Sequence, residues 1–355
     1  SIINITDGEL ISTADYAVYL PQSGTTTISG GKVYGAAGGV CIQRGTLNVE
    51  GTALITSKGT GSTGNWGDGT GGLDCAAINV SGAYGIATVN IKGGTLIAEA
   101  KSLITEGTTY TPVINVTGGT FSDPSVLKYM ATNATVDIKL LSNINIAKTE
   151  LATGYILNAA NATANLNLNG HDIINSSETA DATPFTQIFT VQNGTLNISG
   201  NGNVKCDASA TAKDDGYRMV IEARGYGTVN IHGGSYYNTQ KLNTQIDLIY
   251  ARENGKINIY GGTFESGKYG TPNNDTDGRY WVLNLKNTDK NTASIQVSGG
   301  TFINFNPANP NMDDNESYLV TGYEVTRDGS VYTAAHKVGD GRKEYIVGQT
   351  SQENR

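Results

Sequence analysis

One short unit recurs along this chain and limits what it can fold into. The unit is apolar, Asn, apolar, any residue, Gly, Gly, Thr, then an apolar or aromatic residue. It reads Val89-Asn90-Ile91-Lys92-Gly93-Gly94-Thr95-Leu96 and returns as Ile114-Asn115-Val116-Thr117-Gly118-Gly119-Thr120-Phe121. It returns again from Val229 to Gly234 and from Ile257 to Phe264, and weaker copies centre on Asn4, Thr27, Asn48, Asn167, Asn197 and Gln296. Anchored on its first turn residue, the unit sits at Asp7, Gly30, Gly51, Gly93, Gly118, Gly170, Gly200, Gly233, Gly261 and Gly299. The gaps between anchors run from 21 to 52 residues. Variable gaps around a constant unit mean that insertions leave a common scaffold between its turns. The longest gap predicts a further turn without the signature, around 136–146.

The columns of the repeat carry the fold. Two residues before the anchor stand Ile5, Ile28, Val49, Ile91, Val116, Leu168, Ile198, Ile231, Ile259 and Val297. The position four before is equally apolar, with Thr26 the exception, and three after come residues such as Leu96, Phe121, Tyr236, Phe264 and Phe302. The copy at Gly200 slips by one, to Val204. Alternate residues of a strand face opposite sides. These columns therefore face inward, and the Asn between them faces out. A second strand precedes many units, as at Val40-Cys41-Ile42, Met219-Val220-Ile221 and Leu248-Ile249-Tyr250. Each copy supplies about three short strands joined by turns, with Gly and Asn where a positive φ costs least.

Such a coil cannot bury its own apolar face, whereas stacked coils bury it against one another. The predicted fold is all-β, a parallel β-helix of about ten to eleven coils and about 50 Å long at ~4.8 Å per coil. The outward Asn column should form an amide ladder from turn to turn. An antiparallel sandwich is the competing fold, but it predicts hairpin spacings of roughly 8–12 residues. We divide the chain into coils at 1–131, further coils at 132–305, and a C-terminal cap with a hairpin and polar tail at 306–355. Because Ile3-Asn4-Ile5 is already an anchor strand, the sequence starts in mid-coil. That predicts residues before Ser1, or another chain covering this end by end-to-end stacking or homo-oligomer formation.

The Asn-Ile-x-Gly-Gly-Thr-Phe units, with the variant Leu166-Asn167-Leu168-Asn169-Gly170-His171-Asp172-Ile173-Ile174, resemble the right-handed parallel β-helix proteins of the pectin-lyase-like superfamily. The resemblance is closest to the Gly-Gly-Thr-Phe repeat proteins of bacterial surfaces and phage virions, and it covers about residues 3–335. It implies a right-handed coil and an extracellular location. It carries no activity over. The polygalacturonase-like pattern fails here, because Gly170-His171 is followed by Asp172 and no Arg-x-Lys occurs.

Composition removes other classes. The chain of 355 residues has 46 Gly, only 16% charged residues and a net charge of −8, so it is neither helix-rich nor a basic nucleic-acid binder. No stretch of ~18 apolar residues is present to span a membrane. Three cysteines, Cys41, Cys75 and Cys206, cannot all pair, and buried reduced thiols are the simplest reading.

Candidate site residues fall into three groups. Glu222, Arg224, Asp247 and Arg252 could line one face, and would be the catalytic set of a lyase or hydrolase; the plainer reading is a solvated ion-pair ladder. Tyr260 and His232 each stand one residue before an anchor on neighbouring coils, where they should reach the surface. With Tyr226, Tyr280 and the loop residue Trp66 they could bind a glycan or a protein, or be ordinary surface and core aromatics. Asn273, Asp275 and Asp277 alternate like calcium ligands, yet the twelfth position is Asn284, not Glu, so a polar loop is the simpler account. No cofactor is expected, calcium being the one candidate. The sequence thus predicts a non-catalytic, extracellular structural and binding protein. Its setting would be a phage virion appendage or decoration protein, or a bacterial surface adhesin. Its partners would be cell-surface glycan or protein, or neighbouring virion or surface subunits, not nucleic acid or membrane. The alternative is a polysaccharide lyase or glycoside hydrolase of tailspike type.

Overall fold

The computed structural model describes residues 1–61, 74–106, 109–146, 154–175, 185–206, 217–238, 246–266, 280–310 and 317–337. Among these the chain is all β, apart from two short 3-10 turns at Pro124–Tyr129 and Asn287–Asp289. The strands form four sheets, of 5, 13, 4 and 8 strands. Nearly every strand pairs in parallel with the strands one repeat earlier and one repeat later. Such stacked parallel sheets are compatible with a β-helix. Among the described residues, antiparallel pairing enters only at the C-terminal hairpin of Tyr323–Asp328 and Val331–His336, which closes the eight-stranded sheet on Thr301–Ile303.

The inward columns stack in register. One apolar row runs from Leu10 through Val33, Ile55, Leu96, Phe121, Ile138, Leu166, Ile198, Ile231 and Ile259 to Val297. All of it beyond Leu10 is buried. This row joins two columns that the sequence reading kept apart. In the first part it holds the residues three after the anchor, except that Ile55, four after Gly51, takes the place expected for Leu54; from Ile198 onward it holds the residues two before the anchor. The change of face lies between Phe121 and Thr135. There the insertion carrying Pro124–Tyr129 sets Met130 beside Val116, and Thr135–Lys139 docks beside Thr120–Phe121.

The outward Asn column therefore follows two lines instead of the single one expected. On the five-stranded sheet, Asn115 donates to Asn90 and Asn90 to Asn48, both at 3.0 Å. On the thirteen-stranded sheet, Asn258 donates to Asn230, Asn230 to Asn197 and Asn197 to Asn165, each at 2.8 Å. Asn165 donates to Asp137 at 2.9 Å. Each amide gives its Nδ2–H to the repeat before it, and Asn48, Asn90, Asn165, Asn197 and Asn230 also accept from the repeat after. The second ladder starts on a carboxylate, which when ionised only accepts. Aligned donors of this kind polarise one another. Asn230→Asp would set two acceptors against each other at Asn197. We expect a loss of about 1–2 kcal/mol in unfolding free energy, measured by chemical denaturation; a neutral result would show the ladder to be ornament.

A second difference concerns the copy at Gly170. Leu166, not Leu168, pairs with Ile198, and Asn165, not Asn167, joins the ladder. A slip of two residues keeps each side chain on its face, so Leu168 is still buried. The two residues extend the turn, where Asn169 and Gly170 take φ of 51° and 82°. The Asn169 amide there donates to the Leu140 carbonyl at 2.9 Å.

The paired glycines divide two tasks. A Cβ on Gly299 would lie 2.1 Å from the Tyr260 carbonyl of the coil below, so the first glycine permits close stacking. Gly262 has φ of 103°, so the second permits the turn. Cys41, Cys75 and Cys206 are buried and unbridged.

Candidate functional site

The stacked Gly-Gly turns leave a shallow groove of about 550 Å³ along the outside of four successive repeats. Its floor is backbone at Gly233, Gly234, Gly261, Gly262 and Gly300, and its sides carry the hydroxyls of Ser235, Thr263 and Thr301. Glycine makes the floor because the repeat places no side chain there. His232 lines one edge. It is exposed, and its ring lies on the ring of Tyr260, with centroids 4.7 Å apart and planes 9° from parallel. Tyr260 is 50% exposed. The parallel pairing sets this spacing, since both residues follow the last paired position of their strands, Ile231 and Ile259. The result is a flat aromatic platform beside a polar trough.

A second cluster lies on the strands that precede the anchor strands. Thr190, Glu222, Tyr250 and Asn284 are register partners across four strands, as are Gln187, Met219, Asp247 and Trp281. Glu222 is only 1% exposed. Its carboxylate accepts from Arg252 Nε at 2.6 Å and from the Gln187 amide at 2.8 Å, and Arg224 Nε stands 3.9 Å away. Both arginines approach the one glutamate. The ladder is not solvated at its centre, however, because neighbouring strands close over Glu222. Asp247 is 4% exposed and accepts from the Asn284 amide at 2.9 Å. Burial pushes its carboxyl up to about 7, the charge of Glu222 adds to this, and the Asn284 hydrogen bond opposes it. Tyr250, between these groups, is pushed up to about 12, mainly by burial.

Gln187 and Asn284 belong to this cluster although sequence reasoning passed over them. Their signal was the register itself. It was hidden because the shift at Val191–Asn193 and the turn Asn287–Asp289 change their distance from the anchor glycines.

Of the remaining candidates, the described Tyr226 lies apart from both clusters. Tyr226 is 76% exposed and pairs with Asn193. Six residues of strand, about 20 Å, separate it from His232. Tyr280 opens the strand Tyr280–Leu285, but its side chain lies outside the described residues. Trp66, Asn273, Asp275 and Asp277 lie outside them altogether. Among the described residues, no three His, Cys, Asp or Glu side chains converge as metal ligands. No known family, curated protein or solved structure matches this chain.

Proposed function

We propose that the stacked sheets form a right-handed parallel β-helix of about ten to eleven coils, of the pectin-lyase-like kind. The chain serves as a non-catalytic structural and binding module outside the cell. It works as a phage virion appendage or decoration protein, or as a bacterial surface adhesin. The observation that carries the binding role is the exposed His232–Tyr260 stack beside the glycine-floored groove. Aromatic faces pack against the C–H faces of sugar rings, and hydroxyls along the trough supply hydrogen bonds. The occupant is a neutral glycan lying along the stack of repeats. In a panel of neutral oligosaccharides, at least one binds the intact chain, and the His232→Ala, Tyr260→Ala double variant binds it about tenfold more weakly. Equal binding by parent and variant, at unchanged thermal stability, removes this groove from consideration.

A polysaccharide lyase or glycoside hydrolase is the second reading, and one observation favours it. Asp247 holds its proton to about pH 7 beside a second carboxylate, which is an environment acid–base chemistry uses. Both carboxyls are more than nine-tenths buried, which withholds them from a polymer and ranks this reading second. Turnover of any glycan that is lost in Glu222→Gln would reverse the ranking.

A further inference from the structure

Asparagine is thermolabile, and Asn-Gly is the pair that deamidates most readily, because glycine has no side chain to shield its nitrogen. The chain holds four such pairs: Asn169-Gly170, Asn193-Gly194, Asn201-Gly202 and Asn254-Gly255. The reaction needs two free groups, the asparagine side-chain amide and the backbone nitrogen of the glycine. The fold decides which pair offers both.

Three pairs are restrained. The Asn169 amide donates to the Leu140 carbonyl at 2.9 Å, and the Gly170 N–H donates to the Asn201 carbonyl at 2.6 Å. The Asn193 amide donates to Asn158 at 2.6 Å, within the strand Phe185–Ser199. The Gly255 N–H donates to the Arg252 carbonyl at 2.9 Å, and Gly255 is buried. Asn201-Gly202 differs. Asn201 is exposed, and the pair lies just before the strand Asn203–Cys206. Among the described residues, nothing accepts from the Gly202 N–H and nothing holds the Asn201 side-chain amide. The carbonyl of the peptide that joins the two accepts from Gly170. That donor stabilises the negative charge that spreads onto the carbonyl when the Gly202 nitrogen loses its proton.

We propose that Asn201 is a site of spontaneous deamidation and isoaspartate formation. Solvent base takes the Gly202 amide proton, and the nitrogen attacks Asn201 Cγ. A C–N bond forms, the Cγ–Nδ2 bond breaks, and the departing nitrogen takes a proton from water and leaves as ammonia. Water then opens the five-membered imide at either carbonyl, to aspartate or to isoaspartate. No oxidant or reductant takes part. Asn201 and Gly202 line the groove together with His232, so the new carboxylate appears at the lip of that groove. The reaction does not depend on what the groove binds.

The test ages the full chain at pH 8, folded and in urea, and maps the products by peptide mass and by enzymatic methylation of isoaspartate. In urea all four pairs should react at similar rates. In the folded chain we expect Asn201 to react about tenfold faster than any other Asn-Gly pair, and faster still as pH rises. Asn201→Gln should remove nearly all of the isoaspartate at an unaltered melting temperature, since the side chain is exposed. Gly202 makes a poor control, because a Cβ there would lie 2.1 Å from the His171 carbonyl. A folded chain that reacts as evenly as the unfolded one overturns the proposal. So do faster reaction at Asn169, Asn193 or Asn254 than at Asn201, isoaspartate that persists in Asn201→Gln, and an Asn201 that reacts in urea but stays intact in the fold.

Discussion

Asp247→Asn stabilises the chain at pH 8 by a few kcal/mol, at most about 4, and flattens its stability between pH 4 and pH 7. The reason is a carboxyl that ordinarily titrates at 3.8 and is pushed up to about 7 in the fold, chiefly because it is buried. In that interval the folded chain holds a proton that the unfolded chain has released. Stability therefore falls as pH rises from about 4 to about 7, and then levels off. Below 4 both states are protonated and Asp247 contributes no slope. Asn mimics the protonated acid in shape, and its carbonyl still accepts from the Asn284 amide. Urea denaturation at pH 4.5, 6 and 8 measures the effect. A parent whose stability rises over that range on account of this residue, or a variant less stable than the parent at pH 8, would show that the carboxylate is ionised and satisfied in the fold. Glu222 differs in its partners, since Arg252 and Gln187 both donate to it. Replacing Glu222 would remove a paired charge, not a lone one.

How much of this was legible beforehand depended on whether a feature repeats. The column of Ile and Val two residues before the anchor reads directly from spacing, because burial repeats with the coil. The slip to Val204 was visible too, and Val204 does pair with Tyr236. The switch of face at Phe121–Thr135 was not visible. Both columns that it joins are apolar, so exchanging one for the other leaves the pattern of residue types unchanged. The same ambiguity hid the two-residue slip at Leu166 and Leu168. The His232–Tyr260 platform was legible because both residues hold the same place in neighbouring copies. The Gln187–Glu222 and Asp247–Asn284 contacts were not, because each bond runs between positions that are three residues apart in register.

Phe264→Ala lowers the unfolding free energy by about 3–5 kcal/mol, the upper range for a buried aromatic. Phe264 is fully buried in a stack of rings that follows the coils. Its centroid lies 5.0 Å from that of Tyr236 on one side and 5.0 Å from that of Phe302 on the other, with planes 8° and 15° from parallel. The edge of its ring also packs on the Gly-Gly turns: a Cβ on Gly300 would meet it at 3.3 Å, and one on Gly262 at 3.4 Å. The unit Gly-Gly-Thr-Phe is thus one packing device, in which the ring needs the bare turn and the turn needs the ring to cover it. Truncation to Ala leaves a gap that cannot close along the stack, because main-chain hydrogen bonds hold the coils ~4.8 Å apart. The lining then loses its contacts without relief, which is why the loss sits near the top of the range. Phe264→Leu should cost about 1–2 kcal/mol, since most of the volume returns. In a stacked array each repeat leans on its neighbours alone. Hydrogen exchange should therefore quicken at Ile231, Ile259 and Val297 in Phe264→Ala, while Leu47 and Val89, on the five-stranded sheet, keep their parental protection. A uniform rise across both groups would mean that the chain unfolds as a single unit and that the local account of its stability is wrong.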